Sequence, residues 1–414
     1  MELFHELLAE IERVPAVDVH SHIRIVSPAA SDLSQIALYH FITSELESAG
    51  VDPAVFEIDG AKKRLAEASA GFARIKNTTS YWCLTRILGD LYDAGAPHEC
   101  DMDDLLGKVE STSSEPGWTN EVLERANVSK VFVTCDWRKA LPRASEKFVP
   151  VLRVDSLVNE AHMSRTLESL TEATGQSVYE AGDLKKAVAE LFRKAKEAGA
   201  VAAAASFEPQ VDFEQGDRDA ADRILSLVLL GQKPNRDDRK AMRSYVLDLV
   251  LQNCAEHEMP LQLMLGIKHI RSADRAITAY EPGSVAMYAD LFKRHSGVSF
   301  DVFTSNDTIC HELAVVARNY PNVFLSGAWW YLEFPTHIRK MLRERIEMLP
   351  MTKCCGFCSD ARCVEWVYGR VKLIRRELAL ALAQLVQEGY LSEGAAVEVA
   401  AHYLAENPKR LYRV

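Results

Sequence analysis

Short apolar runs alternate with longer amphipathic stretches along most of the chain. Eight runs can be counted, and most of them are continuously apolar: AVDVHSHI (16–23), SKVFVTC (129–135), FVPVLRV (148–154), GAVAAAASF (199–207), PLQLMLGI (260–267), GVSFDVF (297–303), NVFLSGAW (322–329) and KCCGFCSD (353–360). Continuous runs are typical of strands buried on both faces. Stretches such as DDRKAMRSYVLDLVLQNCAEHE, between two runs, carry apolar residues at helical spacing. The pattern therefore predicts eight strand–helix units.

Eight such units predict an α/β protein folded as a (β/α)₈ TIM barrel. A doubly wound open sheet is the alternative. Against it, no GxGxxG motif follows an early strand, and the alternation continues past six strands.

The first two predicted strands are separated by about 100 residues, although a crossover needs only about a dozen. The intervening sequences DLSQIALYHFITSELESAG and TSYWCLTRILGDLYD have apolar residues at helical spacing. We therefore divide the chain into residues 1–29 (N-terminal helix and first strand), 30–125 (helical insertion over the active-site face) and 126–414 (the remaining barrel and C-terminal helices).

The composition of the chain indicates which classes of partner it does not bind. The 414 residues include 48 Lys and Arg against 59 Asp and Glu, a net charge of −11, which repels nucleic acid and anionic lipid. No apolar run is long enough to span a membrane, and the acidic N-terminal segment lacks the basic start of a signal peptide. Nine scattered cysteines, an odd number, suit a reducing compartment. We expect a cytoplasmic protein that binds neither nucleic acid nor membrane.

Three residues suggest a metal site. His20 and His22 in VDVHSH lie two apart on the first strand, so both imidazoles point to the same side. Asp360 ends the eighth predicted strand, which is next to the first in a closed barrel. Taken singly, the histidines could be structural and Asp360 could be a helix N-cap. Together they form an N,N,O donor set for one divalent ion, zinc before manganese or a similar metal.

A bridged two-metal centre is disfavoured. The fourth predicted strand, VAAAASF, has no lysine that could be carboxylated. The fifth has Met264 where a histidine ligand would be sought. The donor set therefore indicates a mononuclear site.

Several motifs in order along the chain resemble the uronate isomerase family of the amidohydrolase superfamily, in particular its shorter, divergent bacterial branch. They are DVHSHI, LYHFITSELESAGV, LRVD, PLQLMLGIK, NVFLSGAWWYLEFPTHIRKML and GFCSDAR. The set spans the chain from about residue 16 to the C-terminus. The resemblance implies a metal-dependent hydrolase-type barrel that interconverts a hexuronate aldose and its ketose: glucuronate to fructuronate, or galacturonate to tagaturonate.

The resemblance also assigns roles to individual residues. It matches His20, His22 and Asp360 to the metal ligands and His40 to a catalytic and substrate-binding histidine of the insertion. Arg362 matches an arginine in catalysis and substrate binding, and Arg153 a second active-site arginine. Paired tryptophans of the family match Trp329 and Trp330. By analogy with the family, we expect a homo-oligomer that acts on a small sugar acid.

The chemistry of these residue types agrees with the implied roles. Isomerisation through an enediol moves a proton between neighbouring carbons, and Asp360 could take it directly or through a hydroxide held by the ion. Guanidinium groups at Arg153 and Arg362 suit the substrate carboxylate. Trp329 and Trp330 can exclude water, although one of them could serve only the core. His40 could bond substrate hydroxyls or shuttle a proton, or be a structural helix histidine.

One departure concerns the substrate. The family has tyrosine after this histidine, whereas this chain has Phe41. The neighbouring Tyr39 would project about 200° away on a regular helix. The departure leaves two options: the substrate differs from the common hexuronates, or another group does the work of the tyrosine at a lower rate. Two other functions also stay open: a one-metal hydrolase or decarboxylase acting on another small carboxylic or sugar acid, and a sugar-acid binding protein without catalysis, which Phe41 alone supports.

Overall fold

Nine β-strands occur in the computed structural model, which describes residues 2–209, 211, 213–270 and 275–414. Seven form one sheet in the order β1-β2-β3-β4-β5-β8-β9, and β6 pairs with β7. The strands are β1 (Ala16–Ser21), β2 (Val128–Asp136), β3 (Phe148–Arg153), β4 (Ala203–Phe207), β5 (Leu261–Leu265), β6 (Ile267–Ile270), β7 (Arg275–Thr278), β8 (Phe300–Thr304) and β9 (Val323–Ala328). With its helices the sheet forms a nearly closed barrel, so the predicted TIM-barrel class is confirmed.

The strands from β3 to β9 in this sheet pair in parallel, as predicted. Their register aligns Leu261 of β5 with Phe300 of β8, and Phe300 with Val323 of β9. All residues of β1, β5 and β8 are buried. Burial on both faces explains why these strands read as continuous apolar runs.

The eighth predicted strand, residues 353–360, differs from the prediction. It makes one isolated parallel bridge, between Cys354 and Leu325, and its other residues belong to no strand. The Gly356 amide donates to the Tyr403 carbonyl at 2.7 Å, so it is not available to a neighbouring strand. A Cβ on Gly356 would lie 3.1 Å from that of Tyr403, which explains the glycine. This contact interrupts the strand.

The antiparallel hairpin of β6 and β7 was not predicted. Its register pairs Ile267 with Thr278 and Lys268 with Ile277. Lys268 and His269 are exposed, so the hairpin lacks the apolar run used to find the other strands.

The chain folds as two compact units. Unit 1 comprises residues 1–131, 333–340 and 357–401, and unit 2 comprises residues 132–332, 341–356 and 402–414. The helices are α1 (Glu2–Glu12), α2 (Leu33–Ala37), α3 (His40–Ser48), α4 (Ala61–Phe72), α5 (Thr79–Tyr92), α6 (Met102–Ser113), α7 (Trp118–Arg125), α8 (Asp155–Glu160), α9 (Ser164–Thr174), α10 (Ala181–Glu197), α11 (Arg218–Leu229), α12 (Arg236–Glu256), α13 (Ser284–Arg294), α14 (Cys310–Asn319), α15 (Pro335–Met348), α16 (Val364–Gln387), α17 (Glu393–Ala401) and α18 (Asn407–Tyr412).

Shorter 3₁₀ turns occupy Pro53–Glu57, Asp307–Ile309, Trp330–Leu332 and Met351–Lys353, and a π-helical turn occupies His402–Glu406. Within the described residues, no helix combines the length and the apolar character needed to cross a membrane.

The core of unit 1 is built where α16 packs on α5. Gly369 allows the close approach, because a Cβ there would lie 2.9 Å from Ile87 Cδ1 and 3.3 Å from the Cys83 carbonyl oxygen. Helices α2 to α7 lie between β1 and β2 in the sequence. The proposed boundaries at 29/30 and 125/126, and the position of this insertion over the active-site face, stay predictions.

Candidate active site

The three predicted metal ligands lie together in unit 1. His20 is on β1 and His22 follows the end of that strand, so the two-residue period directs both rings to one side. Each of His20, His22 and Asp360 offers one ligand atom, and these atoms lie within 4.8 Å of one another. Asp360 Oδ1 is 3.2 Å from His22 Nε2 and 3.6 Å from His20 Nε2.

Burial differs within this cluster. His20 and Asp360 are buried, whereas the His22 side chain is 32% exposed, which leaves one side of the cluster accessible to solvent. Burial by itself raises the pKa of the Asp360 carboxyl. The hydrogen bond from His22 and the electrostatic interactions with His22, His20 and His40 outweigh burial, and the pKa falls below its usual range. Asp360 is therefore a carboxylate at neutral pH.

The backbone at Asp360 is held in an unusual conformation. Its φ of +51° lies in the left-handed region, which a residue with a Cβ adopts only at a cost. Hydrogen bonds to β1 fix this turn: the Asp360 amide donates to the His20 carbonyl at 3.0 Å, and the His22 amide to the Ala361 carbonyl at 2.7 Å. The N-cap of α16 is Cys363, so the N-cap interpretation of Asp360 is wrong.

Asp18 supports the same turn and was missed by the sequence analysis. Its carboxylate accepts hydrogen bonds from the Ser359 amide at 2.9 Å and the Ser359 hydroxyl at 2.5 Å. Burial raises the pKa of Asp18 to about 7, although the Ser359 bonds oppose that rise. The sequence contained a sign of this role, because Asp18 lies two residues before His20, as His20 lies two residues before His22, and the strand period directs all three to one side.

Tyr39 also contacts this turn. It is the N-cap of α3 rather than part of the helix, so the projected angle of 200° does not apply. Its hydroxyl donates to the Asp360 carbonyl at 2.7 Å, and its ring stacks on Trp366 with centroids 4.2 Å apart. The Tyr39 phenol, which precedes His40 in the sequence, therefore stabilises the backbone of Asp360 through a hydrogen bond.

His40 opens helix α3. Burial lowers its pKa to about 3, and the positive charges of Arg362, Arg370 and His22 add to this effect against the opposing charge of Asp360. His40 is therefore a neutral imidazole at physiological pH. Its Nδ1 has no hydrogen-bond partner among the residues described.

Phe41 lies against a buried ion pair that sequence reasoning also missed. The Arg370 guanidinium is 5.2 Å from the centre of the Phe41 ring and 5.6 Å from that of Trp366. Arg370 pairs with the buried Glu333 at 2.9 Å. A charge pair hidden in the core has no distinct spacing in sequence.

Residues 118–401, more than half of the chain, match the family model described as glucuronate isomerase. The chain belongs to the glucuronate isomerase family. The family resemblance seen in the sequence is thereby confirmed. The matched segment contains Asp360 and Arg362, whereas His20, His22 and His40 precede it.

Relatives of this family align with the chain to different extents. The uronate isomerase of Corynebacterium efficiens is 22% identical over 458 aligned residues, covering 100% of this chain and 96% of that protein. The uronate isomerase of Phenylobacterium zucineum is 34% identical over 126 residues, which is 30% of this chain; the match spans only 26% of the relative.

The crystal structure of uronate isomerase from Thermotoga maritima has the same fold. It superposes with a TM-score of 0.88 at 17% identity, covering 99% of this chain and 97% of that one. At this identity the likeness supports the fold alone.

Three residues to which the glucuronate isomerase resemblance gave roles lie in unit 2. Arg153 ends β3 and donates from Nε to Asp155 Oδ1 at 2.8 Å. Trp329 is buried, and its Nε1 has no hydrogen-bond partner within the described part of the chain. Trp330 has a φ of +50°, and its ring centroid is 5.8 Å from that of Trp329. Their roles stay predictions.

Proposed function

We propose that this chain is a metal-dependent aldose–ketose isomerase. Its substrate is a hexuronate, converted from glucuronate to fructuronate or from galacturonate to tagaturonate through an enediol. The observation that carries the proposal is the cluster of His20, His22 and Asp360 in a chain of the glucuronate isomerase family.

The cluster fits one divalent ion. Two imidazole nitrogens and a carboxylate oxygen are donors that zinc accepts, and manganese or a similar ion would also accept them. Asp360 Oδ1 is buried and lies 3.2 Å from His22 Nε2 and 3.6 Å from His20 Nε2, so the three donor atoms are close enough to share one ion. When bound, the ion would act as a Lewis acid that polarises the oxygens of the substrate.

The residues of the chain supply the proton transfer. The Asp360 carboxylate takes the proton from C2 of the aldose and returns it to C1, while the hydroxyl proton on O2 moves to O1. His40 is neutral, so one imidazole nitrogen can accept the hydroxyl proton and release it again. These steps conserve all atoms and need no external oxidant.

Arg362, Arg153, Trp329 and Trp330 are assigned to substrate binding. Arg362 is exposed and has no ion-pair partner within the described residues, so its guanidinium is available to the substrate carboxylate. Arg153 already pairs with Asp155 and would have to share its guanidinium. Trp329 and Trp330 would form a wall that excludes water from the enediol.

The proposal places the enzyme in the cytoplasm. All nine cysteines are free of disulfide bonds, as suits a reducing compartment. A homo-oligomer remains a prediction from the family analogy.

Proton NMR in D₂O tests the reaction. Purified protein is incubated with glucuronate and galacturonate in zinc-loaded, manganese-loaded and chelator-treated forms. We expect ketose product in a metal-loaded sample and none after chelation, with deuterium at C1 wherever the proton held by Asp360 exchanges with D₂O before its return. A product of changed mass would instead support the hydrolase or decarboxylase alternative, and binding without turnover would support the non-catalytic one.

Variants test the residues in the same assay. His20→Ala and Asp360→Asn should lose more than about 99% of the turnover, because each removes a proposed ligand. The matched control His5→Ala, on the exposed face of α1, should keep full turnover. Full activity in His20→Ala or Asp360→Asn would overturn the assignment.

A further inference from the structure

A cleft of about 330 Å³ in unit 1 is lined by two arginines, and none of its described lining residues is acidic. Arg24 and Arg362 are the two cations, and His40, Ser27, Ser31 and Gln35 provide other polar groups. The permanent charges of the lining are therefore those of the two guanidinium groups.

Both arginines are attached close to the metal cluster. Arg24 stands two residues after His22, and Arg362 stands two residues after Asp360. The segments that carry them are joined by the hydrogen bond from the His22 amide to the Ala361 carbonyl. A molecule in this cleft would therefore lie beside the two segments that hold the proposed ligands.

The charge pattern points to an anion. The chain has 11 more acidic than basic residues, and buried Arg370 and half-exposed Arg153 both pair with a carboxylate. In the part of the chain that the structure describes, the guanidinium groups of Arg24 and Arg362 have neither a hydrogen bond nor an ion pair. Two unpartnered guanidinium groups at one cleft in an acidic protein are suited to a carboxylate ligand.

We propose that Arg24, together with Arg362, binds the carboxylate of the sugar-acid substrate and is a specificity-determining residue. This inference rests on the proposed function. Ser27 lies in the same lining and can bond a substrate hydroxyl, whereas Gln35 Nε2 already donates to the Ser31 hydroxyl at 2.8 Å. Arg24 thus supplies a second guanidinium group for the carboxylate. Arg153 would have to share with the substrate the guanidinium group that it already pairs with Asp155.

Steady-state kinetics of the zinc-loaded enzyme test the role of Arg24. Arg24→Met should raise KM for glucuronate or galacturonate about tenfold or more and leave kcat within about threefold, because the lost bond is to a group that does not react. Arg24→Lys should recover part of the loss, since it keeps the charge without the planar fork. The zinc affinity of both variants, measured by chelator competition, should equal that of the wild type.

Arg13→Met is the matched control. It removes the same charge from unit 1, at a side chain that is 73% exposed and paired with Glu10. An unchanged KM in Arg13→Met separates contact at the cleft from a general loss of positive charge. If Arg24→Met keeps the wild-type KM, or if Arg13→Met raises KM equally, the inference is wrong while the isomerase proposal stands.

A binding experiment separates this inference from the proposed function. If the wild type converts neither uronate, the isomerase proposal fails, and calorimetric titration of the zinc-loaded protein with glucuronate and with uncharged glucose still tests the cleft. Glucuronate binding that is about tenfold weaker in Arg24→Met, with glucose not bound by either protein, supports the carboxylate site. Equal glucuronate affinity in both proteins, or no binding to the wild type, overturns it.

Discussion

Asp360 combines a buried carboxylate with a left-handed backbone, and each of these features has a cost in free energy. The imidazoles of His20 and His22 favour the charged carboxylate. The Tyr39 hydroxyl donates to the carbonyl of this turn, the Ser359 hydroxyl accepts from the Ala361 amide, and Asp18 in turn accepts hydrogen bonds from Ser359. The geometry of the metal cluster therefore depends on side chains that do not belong to it.

Tyr39→Phe tests this dependence. The change removes the hydrogen bond to the Asp360 carbonyl and keeps the ring that stacks on Trp366. We expect a loss of about 1–3 kcal/mol, the cost of an unsatisfied buried carbonyl. Part of it should appear as a zinc dissociation constant about fivefold higher by chelator competition.

The control is Tyr368→Phe, which removes a hydroxyl bonded to Asp90 Oδ2 at 3.0 Å in the same unit. It should lower thermal stability without changing the affinity for zinc. If both variants bind zinc as the wild type does, Tyr39 has a purely structural role.

Among the secondary-structure elements, the seven strands of the main sheet could be located from the sequence to within a few residues. Continuous burial gives them a distinct apolar signature, as in LQLML of β5. Residues 353–360 have the same signature, yet the bond from Gly356 to Tyr403 prevents a ladder. A tertiary contact with a segment some 50 residues away has no counterpart in a local pattern. The polar hairpin of β6 and β7 was missed for the opposite reason, because it has no apolar run.

A buried carboxyl group on strand β8, in unit 2, makes the stability of the protein depend on pH. Asp301 is fully buried on this strand and accepts hydrogen bonds from Ser326 at 2.6 Å and from Tyr412 of α18. Burial raises its pKa from 3.8 to about 6, against the lowering effect of these two hydroxyls and of Arg345. The folded state therefore favours the protonated form, so this group makes the protein less stable as pH rises from about 4 to 6, and the full penalty persists above pH 6.

Asp301→Asn removes this penalty. The free energy of unfolding of Asp301→Asn minus that of the wild type should increase by about 2 kcal/mol from pH 4.5 to pH 7.5. This corresponds to a few degrees in the difference between the thermal midpoints. Thermal unfolding of both proteins at the two pH values measures the difference. Asp290→Asn, at an exposed position of α13, should show no such change. A constant difference for Asp301→Asn would mean that Asp301 is ionised at both pH values.

At the scale of the whole molecule, the candidate site joins residues from the two ends of the chain. Sequence reasoning brought His20 and Asp360 together because the first and last strands of a barrel are neighbours. It did not find Tyr39 or Arg24. Their positions depend on a non-helical N-cap and on the local shape of a cleft, and neither is encoded in hydrophobic periodicity. The backbone of Asp360 was equally hidden, since a positive φ at aspartate has no sequence marker beyond the residue type.

Metal binding should be linked to the stability of the molecule, because the three proposed ligands come from segments far apart in the chain. An ion that binds only the folded state stabilises it by about 2.7 kcal/mol at a free concentration of 100 times Kd. We therefore expect zinc to raise the thermal midpoint of the chelator-treated wild type by several degrees.

The same addition should leave His20→Ala and Asp360→Asn unchanged, whereas His5→Ala should respond as the wild type does. Differential scanning calorimetry at fixed pH measures all four proteins with and without zinc. Because it requires no substrate, it tests the metal cluster independently of the reaction. An equal rise in His20→Ala would show that zinc binds elsewhere, and the three residues would then have to be understood as a structural cluster at the end of the barrel.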